Sequence, residues 1–140
     1  MKERVFLDTN VLVYLFDVDD PTKQRRAQEL LSDRELQAQI ILSTQVLQEF
    51  YVSVTRKLAS PLDPDKALRA VQDLAVFPVV QVDTPLILLA IRRSDKVKLS
   101  FWDALILEAA LVAEATHLYS EDFQDGAVFG KLRIVNPFNR

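Results

Sequence analysis

Short apolar runs with no helical spacing alternate along this chain with longer stretches whose apolar residues recur every three or four positions. Runs of the first kind have strand length and no polar face, as strands buried on both sides of a sheet do. Val5-Phe6-Leu7 is the first of them, and it runs straight into Asp8-Thr9-Asn10. The next apolar run, Val11 to Phe16, has helix length and opens on residues of capping type. Asp19-Asp20-Pro21 reads as a turn, followed by a helix over about Thr22 to Ala38. Its apolar side is Ala27, Leu30, Leu31 and Leu36, which leaves Arg25, Arg26, Glu29 and Glu35 mostly outside. Ile40 to Ser43 is a second buried strand. Val46, Leu47, Phe50, Tyr51 and Val54 then predict a long amphipathic helix from about Thr44 to Leu58, with Arg56 and Lys57 suiting its C-terminus.

Beyond a proline-containing loop from Ser60 to Pro64, the spacing of Ala67, Leu68, Val71, Leu74 and Ala75 predicts a helix over Pro64 to Phe77. Pro78 to Val82 is the third strand, and an acid-capped helix follows from about Asp83 through Arg93. A basic and polar stretch, Arg92 to Ser100, precedes a helix from Phe101 to about Thr116. His117 to Ser120 is the fourth strand and Leu132 to Val135 the fifth. Strands separated by helices imply right-handed crossovers and a parallel sheet covered on both faces. The expected fold is thus α/β, a three-layer α/β/α domain with a central parallel sheet of about five strands. No repeat, low-complexity tract or linker divides it, so residues 1–140 read as one domain.

Composition narrows the chemistry. With two glycines, Gly126 and Gly130, the chain can carry neither a P-loop nor a dinucleotide fingerprint. The absence of cysteine removes disulfides, thiolate metal sites and Cys nucleophiles, and is compatible with a reducing cytoplasm. His117 is the single histidine, which leaves Ser-His catalysis and His-rich zinc sites almost nothing to use. Chemistry here must come from carboxylates, supported by hydroxyls and amides. Asp8 interrupts the first apolar run, against a signal peptide, and no apolar stretch approaches membrane-spanning length. A net charge of −3 gives no overall attraction to nucleic acid, so such a substrate needs local basic patches and a cation at any acidic site.

Four acids stand where strand ends and helix starts meet. Asp8 follows the first strand, on the edge where open α/β sheets bind ligands, although this stretch taken alone is better explained by Asp8, Thr9 or Asn10 as a helix cap. Glu49 borders the apolar stripe of the long helix, where an acid needs a partner or an ion pair. Asp103 falls in Ser100-Phe101-Trp102-Asp103, a pattern resembling a capping box, and a helix N-terminus also keeps a carboxylate ionised. Asp122 lies just past the fourth strand, on the same edge as Asp8, with Asp125-Gly126 beyond it as a turn. Like charges gathered there cannot all stay ionised without a counter-charge. Hard oxygen ligands select Mg²⁺ or Mn²⁺, and a cation so held can generate hydroxide from water and clamp a phosphodiester for in-line displacement.

Four segments, Phe6 to Leu12, Ser43 to Phe50, Phe101 to Ile106 and Leu118 to Phe123, resemble the PIN-domain family, and most closely its VapC-like ribonuclease toxins. They occur in the family's order and span nearly the whole chain. The resemblance implies a metal-dependent endoribonuclease on a five-stranded parallel sheet. By motif, Asp8, Glu49, Asp103 and Asp122 are the acidic quartet. Asp8, Asp103 and Asp122 are then the Mg²⁺ ligands, Asp122 directly or through water, and Glu49 orients water or completes the surroundings of the metal. Thr9, Asn10 and Ser120 match supporting polar positions, and Asp125 could share the role of Asp122. A cognate antitoxin and a homodimer are the implied partners, with Tyr14, Leu15 and Phe16 either a docking surface or core. The implied reaction cuts single-stranded or loop RNA, leaving a 5′-phosphate and a 3′-hydroxyl. Arg92, Arg93, Lys96 and Lys98, or Arg56 and Lys57, could track the backbone, and Trp102 could stack a base or be buried. Two other acid-centred folds fit less well. Receiver domains need a lysine after a late strand, and haloacid-dehalogenase phosphatases need Asp-x-Asp where this chain has Asp8-Thr9-Asn10. A PIN-like scaffold that binds RNA or protein without cutting is the non-enzymatic alternative.

Overall fold

The computed structural model describes residues 2–139. Its first strand, β1 (Val5–Leu7), is buried on both faces. Fully burying a Val, Phe or Leu side chain stabilises a fold by roughly 1.5–3 kcal/mol, so this tripeptide anchors the core far beyond its length. It leads into α1 (Thr9–Val13), continued by a 3₁₀ turn over Tyr14–Phe16. Next come α2 (Pro21–Ser32), α3 (Arg34–Gln37), β2 (Ile40–Ser43) and α4 (Thr44–Val52), the last prolonged by a π turn at Ser53–Lys57. The chain continues through α5 (Pro64–Leu74), β3 (Val79–Val80), α6 (Thr84–Lys96) and α7 (Phe101–Val112). It ends with β4 (His117–Tyr119), β5 (Val128–Phe129) and β6 (Leu132–Val135). Among the described residues no helix is long and apolar enough to cross a membrane.

The sheet has six strands in the order β3-β2-β1-β4-β6-β5, parallel except for β5 against β6. Val5 pairs with Ile40 on one side and with His117 on the other, so β1 is central and its neighbours come from distant parts of the chain. The chain winds outward from β1 through β2 to β3, then crosses back to β4. This reversal opens a crevice at the carboxyl ends of β1 and β4, the position where open α/β sheets bind ligands.

Several boundaries differ from expectation for local reasons. The helix expected over Thr22 to Ala38 breaks at Asp33, whose carboxylate accepts from Glu35 N at 2.9 Å and caps α3 as a new helix. Tyr51, expected inward, lies exposed, because Val46, Phe50 and Val54 already fill the buried stripe. Leu68 is exposed for a similar reason, with Ala67 and Leu74 forming the buried side of α5. Of Pro78 to Val82 only Val79 and Val80 pair, at the sheet edge. The last helix stops at Val112, before the expected Thr116. The unexpected sixth strand is β5, which pairs Phe129 with Leu132 across the two-residue turn Gly130-Lys131. Gly130 supplies the positive φ (60°) that this tight turn needs.

Candidate metal centre

Four separate elements deliver the four acids to one cleft. Asp8 closes β1, Glu49 lies on α4, Asp103 is in the first turn of α7, and Asp122 follows β4. All four line a single open cleft of about 480 Å³, together with Thr9, Asn10, Gln45, Gln48, Val52, Ser53, Lys57, Trp102 and Ile106.

Asp8 is both cap and cleft acid. Its Oδ1 accepts from Thr9 N at 2.7 Å, which starts α1, and its Oδ2 accepts from Ser120 Oγ at 2.7 Å. The cap is therefore Asp8 itself, neither Thr9 nor Asn10. Ser120, fully buried, also accepts from Asp122 N at 3.0 Å, so one hydroxyl links the acids of β1 and β4. Thr9 turns its hydroxyl the other way, donating to Glu49 Oε1 at 2.7 Å. Asp103 N donates to Ser100 Oγ at 3.0 Å, confirming the cap of α7 while the Asp103 side chain faces the cleft.

Burial pushes the Asp8 carboxyl up to about 7, and the charges of Asp122 and Glu49 add to the rise. The bonds from Ser120 and Thr9 pull the other way. Asp122 is also raised, by burial first and then by Asp103, Glu121 and Glu49, with Lys23 opposing. Burial is the larger cause of both shifts and carboxylate repulsion the smaller, with Lys57 the one cation among the described residues of the cleft lining.

Gln45 was not foreseen as part of the site. It is 3 % exposed, and its Nε2 donates to Glu49 Oε2 at 3.2 Å and to Trp102 O at 3.1 Å. Both neighbours are acceptors, which sets the amide's orientation and leaves Oε1 buried with no protein donor among the described residues. An unpaired buried acceptor costs about 1–3 kcal/mol, a strain accepted so that both N–H groups can serve the two walls. Its position four residues before Glu49, on the same helical face, was a legible signal.

Other expected participants stand elsewhere. Asp125 accepts from Asn136 N at 2.9 Å and from Asn139 Nδ2, and so holds the segment after β6 rather than entering the cleft. Arg93 is engaged with Glu108 at 2.7 Å. Neither it nor Arg92, Lys96, Lys98 or Arg56 lines the cleft, whereas Lys57 does. Trp102 is 60 % exposed at the cleft lip. Phe16 packs edge-on against Phe50 at 5.8 Å, while Tyr14 donates to Glu121 beside Lys23.

The donor set suits a hard divalent cation: every ionisable lining side chain except Lys57 is a carboxylate. Asp8 and Glu49 each accept one protein donor on each oxygen, and both retain a second lone pair there. As arranged, no three acids or histidines among the described residues stand close enough to enclose an ion. A Mg²⁺ ion there would take at most one or two of the carboxylates directly and meet the others through water.

A family profile described as the PIN domain matches residues 5–124. No curated protein matches the chain. Among solved structures, Mycobacterium tuberculosis VapC20, described as a sarcin-ricin-loop-cleaving toxin, is 20 % identical, with a TM-score of 0.66 over 92 % of this chain and 98 % of that one. A toxin–antitoxin complex from Klebsiella pneumoniae is 21 % identical, with a TM-score of 0.68 over 95 % and 97 %. DNA-bound VapBC from Salmonella typhimurium is 16 % identical, with a TM-score of 0.61 over 94 % and 96 %. At these identities the likeness is one of fold.

Proposed function

The chain belongs to the PIN-domain family, and from that premise we propose that it is a metal-dependent endoribonuclease, the toxin of a type II toxin–antitoxin pair acting in the cytoplasm. The observation that carries this reading is the delivery of Asp8, Glu49, Asp103 and Asp122 by four elements to one cleft that is short of positive charge. Support also comes from fold neighbours described as a loop-cleaving toxin and as toxin–antitoxin complexes. A cognate antitoxin is the partner we assign on that basis, with a homodimer as the assembly.

Mg²⁺ or Mn²⁺, when bound, supplies the activation of water and the stabilisation of charge on the phosphodiester. Asp8, Asp103 and Asp122 would hold it. Ser120 and Thr9 N keep the Asp8 carboxylate turned to the cleft, and Ser120 also ties down the Asp122 backbone. Glu49, held in place by Thr9 and Gln45, would orient the attacking water and accept its proton.

Cleavage of an RNA panel with Mg²⁺ or Mn²⁺, with and without chelator, tests the proposal. Activity should vanish with the chelator and in Asp8→Asn and Asp103→Asn. Undiminished cutting by both variants after metal removal would sink the mechanism. The competing reading is a scaffold that binds without cutting, favoured by the open spacing of the acids. It gains if the wild type binds RNA or a protein partner and never cleaves. Copurification of a small partner that suppresses cleavage separates a toxin from an RNA-processing nuclease with no antitoxin.

A further inference from the structure

Two features at the lip of the cleft are left unused by the acids. The first is Trp102, the only tryptophan of the chain, 60 % exposed although tryptophan is usually well buried. Gln45 Nε2 holds its carbonyl at 3.1 Å, and its ring meets Phe101 at 5.0 Å and 75°, an edge-on contact that leaves much of the indole open. The second feature is Lys57. Along α4 the lining residues are Gln45, Gln48 and Glu49, then Val52 and Ser53, the spacing of an α-helix. The row Gln45, Glu49, Ser53 runs on to Lys57 at four-residue spacing, within the π turn at Ser53–Lys57 that prolongs the helix, whereas Arg56 does not line the cleft. Single π turns occur often at functional sites.

We propose that Trp102 and Lys57 form a nucleotide subsite beside the acids, in which a base of single-stranded RNA stacks on the indole and an adjoining phosphate pairs with the ammonium. The inference rests on the endoribonuclease reading and adds the groups that place the strand. Indole stacking tolerates any base, so the subsite positions RNA without selecting sequence. Lys57 also offsets, for an incoming phosphate, the repulsion of four nearby carboxylates. Gln45 is a positioning residue for both functions, because one amide holds Glu49 and the Trp102 backbone together.

The single tryptophan is its own reporter. In an Asp8→Asn background with Mg²⁺, which blocks cutting, a short single-stranded oligoribonucleotide should quench Trp102 fluorescence, and the same ribose-phosphate chain without bases should not. By anisotropy of labelled RNA, Trp102→Ala should weaken binding about 10-fold or more, and Trp102→Phe should recover most of that loss. Lys57→Gln should weaken binding and make the slope of log affinity against log salt shallower by about 0.7, one phosphate contact on a single strand. RNA that binds without quenching, quenching of equal size by the abasic chain, or an unchanged salt slope in Lys57→Gln overturns the subsite and leaves the nuclease reading standing. If anisotropy detects no RNA binding at all, both fall together.

Discussion

Ser120 Oγ stands 2.7 Å from Asp8 Oδ2, so a buried hydroxyl at the end of β4 steadies a buried carboxylate at the end of β1, 112 residues earlier in the chain. The same oxygen accepts the Asp122 amide, so one hydroxyl bonds to both residues. Removing the hydroxyl leaves a buried carboxylate short of a donor. Ser120→Ala should therefore lower stability by about 1–3 kcal/mol at pH 8 and less at pH 5, where Asp8 carries a proton. Urea denaturation at the two pH values checks this; equal losses would mean the bond matters only as packing.

Asp8 itself should make the metal-free protein pH-sensitive. Its carboxyl is raised from 3.8 to about 7 on folding, chiefly by burial, so between those values the native state binds the proton that the unfolded chain has released. The contribution of Asp8 to stability is full below about pH 4, declines as pH climbs toward 7 and is gone above it. Asp8→Asn keeps the shape and never ionises. It should match the wild type near pH 4 and exceed it at pH 8 by roughly 2–4 kcal/mol, while losing cleavage. Thermal melts across this range in chelator provide the measurement, and a wild type that is as stable as the variant at pH 8 would contradict it.

Added Mg²⁺ or Mn²⁺ should raise the melting temperature, and more so at pH 8 than at pH 6, because ligation needs Asp8 deprotonated. At a metal concentration 100 times Kd the gain is about 2.7 kcal/mol. Asp103→Asn should reduce it. A melting temperature indifferent to both ions at pH 8 would argue that the cleft holds no cation.

Thr9 Oγ1 to Glu49 Oε1, at 2.7 Å, ties α1 to α4 across the cleft. Thr9→Val preserves shape and removes the donor. It should cost about 1 kcal/mol in stability and reduce kcat more than KM, since Glu49 is then free to turn. Thr9→Ser should restore the rate, and rescue by serine would separate a role for the hydroxyl from one for the methyl.

Much of the fold was legible in the sequence because burial on both faces leaves an unambiguous trace. Val5-Phe6-Leu7 and Ile40-Ile41-Leu42 have no polar face, and both are strands where expected. Boundaries were less legible where a side chain competes with the backbone pattern. Asp33 ends one helix and caps another through bonds that periodicity cannot register. β5 escaped notice because a two-residue edge strand has no period to read, and its cue, Gly130, lies in the turn. At the site, residue type and place after a strand or at a helix start pointed to Asp8, Asp103 and Asp122. Gln45 could be placed beside Glu49 by its spacing, but its bond to the Trp102 carbonyl and the exposure of Trp102 could not, since each depends on what lies opposite.

The sequence by itself determined that any chemistry here must be carboxylate chemistry, because cysteine is absent and His117 stands alone. It also determined that the chain builds an α/β sheet, because apolar periodicity is a local property. Only the tertiary structure decided that Asp8 is both helix cap and cleft acid, that Asp122 and not Asp125 faces it, and that Lys57 rather than Arg56 reaches the cleft. Those outcomes depend on strand order, on the π turn that prolongs α4 and on hydrogen bonds between residues about 40 and 112 positions apart. Local spacing carries no information about partners that folding alone brings together.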